Sequence, residues 1–189
     1  MNLEEIQKEV KSKLSDKRYN HCVCVMNMCE ELAKVYNVNI EEAKKVGMAH
    51  DVAKQMTQTE RKEYIKANNI YVDKIEKEVP SLLHAKIGAD IATKKFGFTK
   101  SMSKAIESHT TGKENMDMLA KILYVADWTG EDRDLPNLDY IRKLSKQNID
   151  QALIYTLENT IKEKIGNGEL VHLDSILARN YLINKTKNK

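Results

Sequence analysis

The adjacent pair His50-Asp51 is the sharpest chemical feature of the chain. It ends an apolar segment, Val46-Gly47-Met48-Ala49-His50-Asp51-Val52-Ala53-Lys54. Burying an imidazole and a carboxylate without partners costs several kcal/mol. A divalent cation would satisfy both, and this donor set suits zinc, iron or manganese. Further donors lie elsewhere. The chain has five histidines, His21, His50, His84, His109 and His172. Asp127 follows the apolar stretch Met116 to Ala126, where the helix macrodipole disfavours a negative charge. A nearby cation removes that objection. Each residue alone reads better as a satisfied core or surface group; their order along the chain is what is specific.

The elements that must position these residues read as helices. There are 7 Gly and 2 Pro, and no run of period-two alternation, so the fold class is all-α. Leu3, Ile6, Val10 and Leu14 form a first helical stripe. A second helix runs from Asp16 to about Tyr36 and carries His21. Asn39 with Glu42 caps a third, from about Ile40 into His50. With Asn37 as the turn, His21 lies 16 residues before it and His50 13 after it. At ~1.5 Å per residue the offset is roughly 5 Å, within the reach of helix tilt. Thr59, or nearby Thr57, caps a short helix across Arg61 to Ala67, and Asp73 with Glu76 caps another. A helix from Leu82 to Phe96 stops at Gly97 and carries His84. Thr99 caps the next, which carries Ala105, Ile106 and His109. Asn148 with Gln151 opens a helix that Gly166 closes, and a last helix follows Asp174.

At 189 residues the chain suits one domain, with its core at about 16–182 and a Lys-rich tail expected to fray. No apolar run approaches the ~20 residues of a membrane span. The charged, periodic N-terminus does not resemble a signal peptide, which makes the cytoplasm the expected compartment. A net charge of +3 is too mild to argue for a nucleic acid polymer. Cys22, Cys24 and Cys29 are too close and odd in number for a disulfide framework. Cys22 and Cys29 share a helix face with Val25 and Leu32 and read as core.

The ordered set resembles the HD superfamily of metal-dependent phosphohydrolases. The matching segments are Arg18-Tyr19-Asn20-His21-Cys22, Ala49-His50-Asp51-Val52-Ala53-Lys54, Leu83-His84-Ala85-Lys86-Ile87-Gly88-Ala89, His109-Thr110-Thr111-Gly112 and Tyr124-Val125-Ala126-Asp127, followed by Glu131-Asp132-Arg133. Together they look like the YqeK branch, symmetrical diadenosine tetraphosphate hydrolases, over nearly the whole chain. The resemblance implies a helical HD bundle with the metal between helices. It implies His21, His50, Asp51 and Asp127 as metal ligands, with iron as the metal and manganese as an alternative. His84 and His109 then face the substrate phosphate or hold a second metal, with Asp51 as the bridge. In one departure, His109 is followed by Thr110, where some two-metal relatives carry paired histidines.

Under that resemblance Asp51, His84 and His109 are the catalytic candidates. Arg18, Lys54, Arg133 and Thr110 are candidates for phosphate contacts, Arg by forked hydrogen bonds and Lys as a point charge. Leu170, Val171, His172, Leu173, Asp174 and Ser175 follow the turn Gly166-Asn167-Gly168. They are the expected nucleoside contact, or else a capping loop with Asp174 as N-cap and His172 as a loop residue. The expected substrate is a dinucleoside polyphosphate and the product a nucleoside diphosphate, in a chain that could form a homodimer. The competing readings are an HD phosphohydrolase of other (deoxy)nucleotides and a nucleotide-binding sensor without turnover.

Overall fold

Local caps open most of the helices in the computed structural model, which describes residues 1–187. In chain order these are α1 (Leu3–Lys13), α2 (Asp16–Tyr36), α3 (Ile40–Ala49), α4 (Gln58–Asn68), α5 (Lys74–Glu78), a 3-10 turn (Pro80–Leu82), α6 (Leu83–Phe96), α7 (Lys100–Ser108), α8 (Met118–Thr129), α9 (Leu138–Gln147), α10 (Ile149–Gly166) and α11 (Leu173–Lys187). No strand forms among the described residues, so the all-α reading holds. Asn2 with Glu5, Thr57 with Glu60 and Asp73 with Glu76 form complete capping boxes. Ser15, Asn39, Thr99, Asp117 and Asn148 each accept a backbone N–H of the first turn.

The departures from the sequence reading lie where caps mislead. Gly166 does not close α10; it is the helix's last residue, and the left-handed residue is Gly168. Asp174 is not the cap of α11. It lies in the first turn, and its backbone N–H donates to His172 Nδ1 at 3.1 Å, so the imidazole does the capping. Helix α9 has no counterpart in the sequence reading, because its Asn137 start carries no side-chain cap. It forms because Ile141 and Ser145 bury one face. Of the tail expected to fray, residues up to Lys187 are helical, and 188–189 lie outside the described residues.

Packing brings the chemistry together. Helix α2 lies against α3 and α8, and α7 lies against α3, α6 and α8. The main core joins Cys22, Val25, Cys29 and Leu32 of α2 to Val46 of α3, Ile106 of α7 and Ile122 and Leu123 of α8. Ile6 and Val10 of α1 belong to it as well, ahead of residue 16. The α2–α3 approach depends on Gly47. A Cβ there would stand 2.8 Å from the Met26 Cα, so only a residue without one admits this spacing. A smaller cluster of Ala53, Leu83 and Ile87, with Tyr64, Ile65 and Ile70, ties α4 to the start of α6. That contact sets the height of His84. No helix among the described residues is long and apolar enough to cross a membrane.

Candidate metal centre

Five chain segments end at one point. α2 presents His21 in its second turn, and α3 presents its C-cap, His50, with Asp51 next. α6 presents His84, α7 its C-cap His109, and α8 presents Asp127 near its C-terminus. His50, Asp51, His84, His109 and His21 are all buried, and Asp127 is half-buried. The helical offset between His21 and His50 is absorbed, for their rings lie 5.4 Å apart, edge to face.

Three of the histidines are held in the same way. His50 Nδ1 donates to the Gly47 carbonyl at 2.8 Å, His84 Nδ1 to Ser81 at 2.5 Å and His109 Nδ1 to Ile106 at 2.7 Å. Each partner lies three residues earlier, at a helix end or turn. With Nδ1 protonated, each ring turns an Nε2 lone pair inward.

The inward atoms form two overlapping groups. In the first, His21 Nε2 is 3.0 Å from Asp127 Oδ1, and His50 Nε2 is 3.9 Å from the same oxygen and 3.5 Å from Asp51 Oδ2. In the second, Asp51 Oδ1 lies 3.2 Å from His84 Nε2 and 3.6 Å from His109 Nε2, and the two Nε2 atoms are 3.1 Å apart. The donor atoms of His21, His50 and Asp127 fit within one coordination sphere, as do those of His50, Asp51 and His109. Among the described residues, His50 Nε2 and Asp51 Oδ1 are buried with no aligned hydrogen-bond partner. Orphaned acceptors at the centre of a nitrogen and oxygen donor set are what a divalent cation satisfies, so the residues fit one.

The electrostatics agree. Burial alone would push the Asp51 carboxyl up. The nearby His50 ring, with His109 and His84 beside it, instead holds it well below the ordinary carboxylate range. Asp127 is likewise disfavoured by burial but driven far down by the hydrogen bond from His21 and the charges of His50, Arg133 and His109. Burial lowers the pKa of His50, yet Asp51, Asp127 and the Gly47 carbonyl raise it on balance. The carboxylates therefore call for positive charge beside His50. Burial pushes His84 down to about 4, helped by the charges of His109 and Lys54 and opposed by Asp51.

The three cations expected at phosphates surround this cluster, each on one of its members. Arg18 Nη1 donates to Asp51 Oδ2 at 3.0 Å. Lys54 Nζ stands 3.2 Å from His84 Nε2, and Arg133 donates to the Asp127 backbone carbonyl at 2.8 Å as well as to its carboxylate. Thr110 lines two cavities beside the cluster. The smaller, about 440 Å³, includes Ser81, Thr110, Leu170, Val171, His172 and Ser175. The larger, about 810 Å³, takes in Thr110, His172, Leu173 and Asp174. The 170–175 segment thus shares a cavity with Thr110 and Ser81, and none of the four expected metal ligands lines either cavity. His172 is more than a loop residue. Its Nε2 pairs with Asp73 Oδ2 at 2.8 Å, a contact invisible in the sequence. The nearby Asp73, Glu76 and His172 are already satisfied, because Asp73 caps α5 and Glu76 pairs with Lys86. The sequence reading gives no role to Asp132, whose Oδ2 lies 2.8 Å from His21 Nδ1. The signal was its place beside Arg133 in a matched segment.

A helical bundle with imidazoles and carboxylates converging between its helices defines a metal-dependent hydrolase class. The HD domain family model matches residues 18–131, and the chain belongs to that family. It is similar to the symmetrical bis(5'-nucleosyl)-tetraphosphatase of Bacillus subtilis, at 33% identity over 97% of this chain and 98% of that one. The protein of the same name from Halalkalibacterium halodurans is 30% identical over 99% of this chain and all of the relative. Among solved structures, a predicted HD superfamily hydrolase involved in NAD metabolism from Clostridium acetobutylicum superposes with a TM-score of 0.94. It shares 33% identity over 98% of each chain.

Proposed function

We propose that this chain hydrolyses diadenosine tetraphosphate symmetrically into two molecules of ADP, at a divalent metal held by His21, His50, Asp51 and Asp127. Iron is the metal assigned, with manganese as the substitute. The observation that carries the reading is a pair of buried, partnerless atoms, His50 Nε2 and Asp51 Oδ1, in a chain that aligns end to end with symmetrical tetraphosphatases.

When bound, the cation supplies Lewis acidity, lowering the pKa of water and polarising a phosphoryl oxygen. The side chains account for the rest. Water forms a bond to the phosphorus on one side of the central bridging oxygen. The bond from that phosphorus to the bridge breaks, and the second ADP leaves with the oxygen. Asp51 is held ionised, orients the attacking water and accepts the proton that the water gives up, passing it to solvent. His84 and His109 stabilise the charge that develops and give the leaving oxygen its proton. Burial holds His84 neutral, and the negative charge of an arriving polyphosphate opposes that effect and favours its protonated form. Once Asp51 and Asp127 are ligands, Arg18 and Arg133 have guanidinium donors to spare for phosphate oxygens, joined by Lys54 and Thr110. Leu170, Val171, His172, Leu173, Asp174 and Ser175 shape the nucleoside pocket. If a second cation binds, His84, His109 and Asp51 are its ligands.

The test is the product of iron-loaded, anaerobically purified protein with this substrate. ADP as the sole nucleotide product is expected. ATP with AMP would reject symmetrical cleavage. Turnover of mononucleotides in preference to the dinucleotide would select the broader phosphohydrolase reading, and binding without turnover the sensor.

A further inference from the structure

His21 is the exception among the cluster histidines. His50, His84 and His109 fix their tautomer on the backbone carbonyl three residues earlier, at a helix end or turn. His21 sits inside α2, where the carbonyls of the preceding turn are consumed by the helix. Its Nδ1 needs an acceptor from elsewhere, and Asp132 Oδ2 stands there at 2.8 Å, 111 residues away in the chain. The loop carrying Asp132 grips the centre twice, because Arg133 from the same loop holds Asp127. The loop itself is anchored. Arg142 of α9 donates to the Thr129 carbonyl at 2.9 Å and the Gly130 carbonyl at 2.8 Å. Gly130 leaves room for the carboxylate, for a Cβ there would meet Asp132 Oδ1 at 2.9 Å.

We infer that Asp132 is a positioning residue for the metal centre: it orients His21 so that Nε2 faces the ligand set, within a clasp of residues 130–133 that Arg142 tethers. The inference rests on the metal site proposed above. A carboxylate on the far nitrogen fixes the ring's tautomer and raises its basicity, and such partners are worth about 10- to 100-fold in metal affinity. Helix α9 thereby acquires a role, since its arginine holds the clasp without touching the cluster.

The experiment is anaerobic Fe(II) titration against a chromophoric chelator, with the melting temperature of the metal-free protein measured in parallel, for the full chain and for Asp132→Ala, Asp132→Asn, Arg142→Ala and His21→Ala. Asp132→Ala is expected to weaken Fe(II) binding by about 10- to 100-fold at an unchanged melting temperature. The Fe(II) concentration giving half-maximal turnover should rise in step, with kcat recovered at saturating metal. Asp132→Asn keeps an acceptor but not the charge and should lose less; Arg142→Ala should shift affinity in the same direction. Should Asp132→Ala lower the melting temperature, Asp132→Asn decides: weakened Fe(II) binding supports the role and wild-type binding overturns it. Wild-type affinity in both Asp132 variants beside a large loss in His21→Ala overturns the clasp alone. Wild-type affinity in His21→Ala as well overturns the metal quartet and the clasp with it.

Discussion

His84 and His109 face each other across 3.1 Å, Nε2 to Nε2, each with its Nδ1 on its own backbone. Two neutral rings in that tautomer would set lone pair against lone pair, so the pair is built to share a proton or a cation with Asp51 Oδ1. Replacing either ring should therefore reach the chemistry while sparing the quartet. His84→Gln or His109→Gln is expected to lower kcat by about 10²- to 10⁴-fold. Bound metal per chain should stay near wild type; a fall by half would assign the pair to a second cation.

Metal removal should cost stability, because the cation binds only the folded arrangement. At free metal about 100-fold above Kd the folded state gains roughly 2.7 kcal/mol. For a chain of this size that is a fall of about 5–10 °C in Tm on chelation. Differential scanning calorimetry with and without chelator measures it. Asp51→Ala should abolish turnover and remove most of this metal-dependent shift, with the helical circular dichroism spectrum intact.

Gly47 tests how closely α2 and α3 must approach. Ala is the better helix former, so local propensity favours Gly47→Ala by about 1 kcal/mol. The added Cβ would nonetheless collide with the Met26 backbone at 2.8 Å. The variant should be destabilised by about 1–3 kcal/mol in urea unfolding. It should also bind metal more weakly, because His21 and His50 sit on the two helices forced apart.

Away from the centre, buried Lys121 of α8 donates to Asp150 at the start of α10, at 2.6 Å. Burial would raise the Asp150 pKa, but Lys121, with Lys185 beside it, brings it below the ordinary value. A carboxylate depressed on folding stabilises the native state fully above its unfolded pKa, about 3.9. That stabilisation fades as pH falls from there through the folded value. Lys121→Met should cost about 1–2 kcal/mol at pH 7. The gap to wild type should narrow below about pH 4 in urea melts.

Local interactions were legible from residue types alone. A capping box spans four residues and closes within one turn, so Asp73 with Glu76 announces its helix wherever the chain folds, while the cap of α4 is Thr57 with Glu60 and not Thr59. The ordered His21, His50-Asp51, His84, His109 and Asp127 announced a metal-suited donor set by chemistry. What each donor meets was decided by packing. His21 and Asp132 are 111 positions apart, His172 and Asp73 are 99 apart, and Arg18 meets Asp51 across 33. No periodicity encodes such distances; they follow from how closely α2, α3, α7 and α8 approach, as at Gly47. Helix α9 was hidden for the same reason, since its Asn137 start has no cap and its stability comes from burying Ile141. The sequence by itself determined the locally capped helices and the donor types. Only the tertiary structure decided that His50 Nε2 and Asp51 Oδ1 are left buried and unpaired, because both atoms lose water only when five segments close around them.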